Sequence, residues 1–292
     1  MATAPTRTPT STRKPRAHEI DMHGLTHLGK VRKSNQDHFL ICELKKQMDV
    51  HLTSLPDAAA LMGAERLAYM VMVADGVGSR SAGEEASRRA LHGITQYVIQ
   101  ALRCYYTADS TDETAFAEAL QGSALQVHAD LAKLAEEDPE RRGMATTLTL
   151  WIGVWPKAYL VQVGDSRFYL LRKGELTQVS HDQTMAQELI DQGVFTRTDA
   201  FNTRWANVLS SSLGGQQSAP VVTQLEQDWG QVGLLCSDGL TKHVSDERIK
   251  ERLLQMTTAK QTCEDLLQDA LDGGGSDNIT IIVGRDIKKD PD

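Results

Sequence analysis

Four aspartates stand where short apolar runs begin or end, and this placement constrains the chain more than its composition does. Asp75 follows the run 69–74 in Val-Ala-Asp-Gly-Val-Gly, and Asp165 follows 158–163 in Val-Gly-Asp-Ser-Arg. Asp238 follows 232–236 in Leu-Cys-Ser-Asp-Gly-Leu, and Asp277 precedes 278–283 in Gly-Gly-Ser-Asp-Asn-Ile. Short apolar runs bounded by turn residues are the pattern of buried strands. A carboxylate at the end of such a strand stands at the rim of a sheet, and a neighbouring glycine lets backbone and ligand approach closely. Taken singly, Asp-Gly after a strand is an ordinary turn. Four acids brought together would repel one another unless cations neutralised them, and all-oxygen ligands select Mg²⁺ or Mn²⁺ over zinc.

Between these points the hydrophobic period changes along the chain. Residues 20–42 read as extended segments around an Arg32-Lys-Ser-Asn-Gln-Asp37 turn, and 43–68 read as a polar insertion. From Ser81 to about Tyr105, Ala86, Ala90, Ile94, Val98 and Leu102 recur at helical spacing, with Ser81 a candidate cap and Glu84 three residues later. A second helix follows the polar break at 106–113, with Phe116, Leu120, Val127, Leu131 and Leu134 on one side. Runs at 147–154, 158–163 and 167–172 then predict an antiparallel meander, and 183–214 a polar surface subdomain. Helices are expected at 246–256 and 260–270. Strands come in groups and helices in groups, so the fold class is α+β, with helix layers packed on antiparallel sheet.

Composition excludes other classes. Of 292 residues, none belongs to a stretch of about 18 consecutive apolar positions, so membrane insertion is not expected, and neither is a secretion signal. The expected location is cytoplasmic. Residues 1–17 carry Arg7, Arg13, Lys14 and Arg16 and no acid, which leaves a net charge of −12 for the rest and argues against a nucleic-acid-binding body. The first segment, 1–19, is expected to be a disordered basic tail, followed by one domain over 20–287 and a short tail at 288–292. Cys42, Cys104, Cys236 and Cys263 form no Cys-x-x-Cys pair and read as reduced, mostly buried thiols.

The ordered set Arg32-x-x-Asn-Gln-Asp37, Asp75-Gly-x-Gly with Gly83-Glu-Glu-Ala-Ser87, Gly143-x-x-Thr-Thr147, Gly164-Asp-Ser-Arg167, Ser237-Asp-Gly239 and Asp277-Asn278 resembles the metal-dependent PPM phosphatases of protein phosphatase 2C type, bacterial members above all. The resemblance runs from about 21 to 285. It implies a central antiparallel β-sandwich flanked by helix layers, αββα, acting on phosphoserine and phosphothreonine in proteins, with a Ser/Thr kinase as opposing partner. It implies two Mn²⁺ or Mg²⁺ ions and a weaker third. Asp75, the Gly76 carbonyl, Asp238 and Asp277 would hold the pair, and Asp165 with Asp238 the third. Asp37 would orient the attacking water, and Arg32 the substrate phosphate.

Some positions depart from the family pattern. Ser79-Arg80 replaces a Gly-His pair common in bacterial members, so Arg80 is either a second phosphate-facing cation or a solvated loop charge. Val77 stands where animal members carry a His that serves as general acid, which leaves that role unassigned. Ala145 replaces a common Gly, and His181-Asp182 reads as a turn rather than a dyad. A catalytically silent phosphoprotein-binding module is the alternative that these departures keep open.

Overall fold

The computed structural model describes residues 13–47, 65–107, 113–196 and 203–288, without the side chains of 80, 103–107 and 204. The strands are β1 Ile20–His27, β2 Asp37–Lys46, β3 Glu65–Val77, β4 Ala145–Thr146, β5 Leu148–Val154, β6 Lys157–Val163, β7 Arg167–Arg172, β8 Glu175–Gln178, β9 Val221–Glu226, β10 Val232–Cys236 and β11 Ile279–Asp286. The α-helices are α1 Arg80–Thr107, α2 Glu113–Glu137, α3 Met185–Asp191, α4 Asp238–Thr241, α5 Asp246–Leu254 and α6 Ala259–Asp272.

Two antiparallel sheets, ordered β1-β11-β10-β7-β8 and β2-β3-β5-β6-β9 with β4 beside β3, lie face to face. Because strand side chains alternate faces, β3 serves two cores: Met70, Met72 and Ala74 pack under α1 and α2, while Val71 and Val73 meet Phe168, Leu235 and Ile282 between the sheets. On the other side Leu234, Cys236, Ile279, Ile281 and Val283 pack under α4, α5 and α6. The β-branched run Ile279-Thr-Ile-Ile-Val283 suits a strand buried on both faces. Each fully buried aliphatic side chain contributes about 1.5–3 kcal/mol, so these three apolar layers hold the expected αββα sandwich together.

Several expectations need correcting. The predicted meander does not stay in one sheet: β5 and β6 pair in one, and β7 pairs with β10 in the other. The chain crosses at Gly164-Asp165-Ser166, and this crossing places Asp165 at the rim. The expected insertion at 43–68 is shorter, because β2 and β3 pair through Lys46 and Glu65; what remains, 48–64, lies outside the described residues, as do 1–12, 197–202 and 289–292. The expected tail is ordered from Arg13: Arg13 pairs with the fully buried Glu19 at 2.7 Å, and Lys14 and Pro15 exchange hydrogen bonds with Arg66. Helix α1 begins one residue before Ser81, and the Ser79 carbonyl accepts from the amides of Ala82 and Gly83, so Ser81 is not the cap. Strands β8 and β9 had no clear signal in the sequence, being short and largely polar or half-buried. The 183–214 subdomain is tied down at its base by Thr184–Leu209 and Thr146–Leu213 bridges, with Leu213 fully buried.

Candidate active site

The rim is assembled from strand ends of both sheets. In the β2–β3 register Asp37 lies directly opposite Asp75, a like-charge pair at the closest cross-strand spacing and destabilising in isolation. The next residues turn away on glycine: a Cβ on Gly76 would collide with the Gly83 carbonyl, and the Gly76 amide donates to the Gln36 carbonyl at 3.2 Å. The backbone of Asp75 is clamped by the Thr-Thr pair. Its amide donates to Thr147 Oγ1 at 3.0 Å, and its carbonyl accepts from the Thr147 amide and Thr146 Oγ1, both at 2.9 Å. Thr147 Oγ1 also lies 2.7 Å from Ser166 Oγ, which joins the Asp75 strand end to the crossing that carries Asp165.

The opposite sheet supplies Asp238 and Asp277 from neighbouring strands. Ser237 Oγ and Thr280 Oγ1 both donate to Asp37 Oδ2 at 2.7 Å, a buried bond set across the two sheets. Gly239 is obligatory, because a Cβ there would strike the Asn278 carbonyl. Asn278 locks the Arg32 loop: its Oδ1 accepts from the Gln36 amide at 2.9 Å, and its Nδ2 donates to the carbonyls of Leu28 and Ser34 at 2.9 and 3.0 Å.

Electrostatics sets this cluster apart. Burial and the fields of Asp37, Asp238, Asp165 and Asp277 push the Asp75 carboxyl well above its ordinary range. Burial and Asp238 raise Asp165 to about 8. Burial likewise raises Asp37 to about 6, although Ser237 and Thr280 donate to it. Burial also raises Asp238 despite the opposing pull of Lys242. Asp277 alone is held low: burial works upward, but Arg32 and Lys242 outweigh it. Arg32 makes a two-pronged contact with Asp277, at 2.6 and 2.8 Å. Lys242 Nζ lies 2.6 Å from Asp238 Oδ2 and 2.7 Å from Asp277 Oδ2.

Asp37 Oδ1 and Asp238 Oδ1 are buried without a hydrogen-bond partner. Such orphaned acceptors are costly unless a cation or an ion-held water meets them, and an all-oxygen donor set fits Mn²⁺ or Mg²⁺. Side chains as placed do not close around an ion: among the described residues no three acid, His or Cys groups form a ligating cluster.

All the sequence-predicted acids therefore meet at one rim. Arg32 is there too, but on Asp277 rather than facing open space, with half of its side chain exposed. The side chain of Arg80 lies outside the described residues, as does that of Cys104. His181 and Asp182 do not form a dyad: Asp182 grips Arg167 at 2.6 Å, and His181 pairs with Asp191 at 2.7 Å. Cys42, Cys236 and Cys263 are free thiols. Reasoning from sequence missed Lys242, although its place one helical turn after Asp238 is a readable signal. It also missed the bracing roles of Ser237, Thr280 and Asn278.

The helix-flanked antiparallel sandwich gathers at one rim an oxygen-only set of acids, the donor chemistry that hard divalent cations take. The sequence profile of the protein phosphatase 2C family matches residues 53–273. The serine/threonine protein phosphatase PstP of Mycobacterium tuberculosis is 38% identical over 216 residues, covering 74% of this chain and 40% of that protein. The serine/threonine phosphatase stp of Listeria monocytogenes is 31% identical over 220 residues, covering 75% of this chain and 85% of that protein. Among solved structures, the catalytic domain of PstP in complex with two manganese ions superposes with a TM-score of 0.68 at 30% identity, covering 92% of this chain and 99% of that one. The chain belongs to the protein phosphatase 2C family.

Proposed function

We propose that the chain hydrolyses phosphoserine and phosphothreonine in proteins with the help of two Mn²⁺ or Mg²⁺ ions. The observation that carries this reading is the convergence of five aspartates from both sheets on one rim, with two buried carboxylate oxygens left unpartnered. Similarity to phosphatases of that name, and the two manganese ions in PstP, support it.

In this reading Asp75, the Gly76 carbonyl, Asp238 and Asp277 hold the pair, and Asp165 with Asp238 a weaker third ion. Bound ions lower the pKa of water and offset charge on the phosphoryl oxygens. The remaining work falls to the chain. Asp37 is fixed through Oδ2 by Ser237 and Thr280, which leaves Oδ1 to accept a proton from the attacking water and aim it. Arg32 stands at the mouth, and its planar guanidinium can exchange the Asp277 carboxylate for a phosphate with the same paired geometry. Cys236 does not compete as a nucleophile: it lies next to Ser237 but packs in the helix-side core, where burial pushes its thiol up to about 12. The phosphate on such substrates comes from a Ser/Thr kinase, which makes a kinase the opposing partner. Among the described residues no helix is long and apolar enough to cross a membrane.

The test is phosphate release from a phosphothreonine peptide with chelator, Mg²⁺ or Mn²⁺, with Asp238→Asn as control. Turnover that requires metal and disappears in the variant is expected; turnover in chelator, or an active Asp238→Asn, would overturn the reading. Calorimetry on Asp165→Ala should show loss of the weakest site alone, and loss of the main pair would refute the assignment of the third ion.

A further inference from the structure

The rim already contains a cation that belongs to the chain. Lys242 follows α4, and its amide donates to the Asp238 carbonyl at 2.8 Å, so its Cα is fixed one turn beyond the acid it pairs with. Its ammonium lies between Oδ2 of Asp238 and Oδ2 of Asp277, at 2.6 and 2.7 Å. These are two of the three acids to which the proposed pair of ions is assigned. Asp277 is fully engaged, with Arg32 on Oδ1 and both Arg32 and Lys242 on Oδ2. Asp238 keeps Oδ1 buried and unpartnered, so the ammonium satisfies only half of that carboxylate.

A carboxylate oxygen within 3 Å of an ammonium cannot at the same time coordinate a divalent ion without bringing three positive charges together. Asp238 can meet an ion through its free Oδ1, but both oxygens of Asp277 are taken, so an ion loading on Asp277 Oδ2 requires Lys242 to leave and Arg32 to loosen its hold. A long, flexible side chain with 29% of its surface exposed has a route outward. Without ions the same ammonium reduces the repulsion among the rim acids.

We infer that Lys242 is a tethered competitor of the metal: it neutralises Asp238 and Asp277 when no ion is bound, must be displaced for an ion to load on Asp277, and so sets how much free Mn²⁺ the protein needs. This rests on the metal-site assignment above and concerns its regulation. Lys242 is a positioning residue here, acting through the two acids.

Two measurements on the full chain test it. Calorimetric titration with Mn²⁺, without substrate, should show tighter binding at one site in Lys242→Gln, by about tenfold or more, and near wild-type affinity in Lys242→Arg, which keeps the charge. Unchanged or weaker Mn²⁺ binding in Lys242→Gln would overturn the inference and leave the metal site standing. Wild-type protein that bound no Mn²⁺, or Asp238→Asn that bound it as wild type does, would overturn the metal site and the inference with it. The second measurement needs no variant. Reductive methylation of Lys242, read by mass spectrometry, should rise several-fold when chelated protein is loaded with Mn²⁺, and equal labelling in both states would overturn the displacement.

Discussion

Two regions of this molecule use aspartate in opposite ways. On the outer face of α5 and α6, Asp269 receives Arg248 Nε at 2.8 Å and Arg252 Nε at 2.7 Å, with second bonds from both guanidinium groups. Arg252 is the largest influence on its carboxyl, and the two arginines together hold it at about 2. At the rim between the sheets, Asp165 is pushed to about 8 and Asp37 to about 6, and burial is the main cause. The first acid is complete within the fold and stabilises it. The second group is left short of positive charge, which only a divalent ion or a displaceable side chain can supply. Perturbed carboxylates clustered in this way mark a functional site, whereas a paired one marks a structural contact.

The contrast can be broken at either end. Asp75→Asn should lower metal-dependent turnover by on the order of 10²–10³-fold or more. It should also leave the chelated protein more stable than chelated wild type, because it removes a carboxylate that burial and its neighbours oppose. Phosphate release and thermal melting in chelator check both halves, and wild-type turnover would refute the role given to Asp75. Arg32→Ala should raise KM for a phosphopeptide by about tenfold with little change in kcat, the size expected for one charge-assisted contact; a steady-state comparison in which kcat alone fell would assign Arg32 to the chemical step instead.

Asp269→Asn should give the mirror image of Asp75→Asn: unchanged turnover, and a loss of about 1–2 kcal/mol at neutral pH. Because the folded carboxyl sits at about 2, below its ordinary 3.8, its stabilisation is complete above about 3.8 and disappears as the pH falls through about 2. Denaturant melts of variant and wild type should therefore converge at the acid end, and a gap that persisted there would mean that packing, not charge, accounts for the loss.

Much of the rim was legible in the chain because its parts are local. An apolar run followed by Asp-Gly announces a strand end and a tight turn within a few residues, and that pattern located Asp75 and Asp238 before any fold was known. Asp165 and Asp277 were found in the same way, from Gly-Asp-Ser and Gly-Gly-Ser-Asp. The supports were not legible. Ser237 reaches Asp37 across 200 residues of sequence, and Asn278 reaches Leu28 across 250. No local period records such a contact. The place of Arg13–Glu19 in the fold is hidden in the sequence for a similar reason: a short polar, basic stretch resembles a tail unless a buried partner such as Glu19 and a strand neighbour such as Arg66 are in view.

The sequence by itself determined the α+β class, the strand ends that carry acids, and the glycines that let those ends turn, since periodicity and turn chemistry act over distances of a few residues, whereas the αββα layering was implied by the resemblance alone. Only the tertiary structure decided which sheet each strand joined, which acids came to face one another, and where Arg32 and Lys242 rest. Those outcomes depend on burial and on charges meeting across the sandwich, and both exist only once the two sheets have packed.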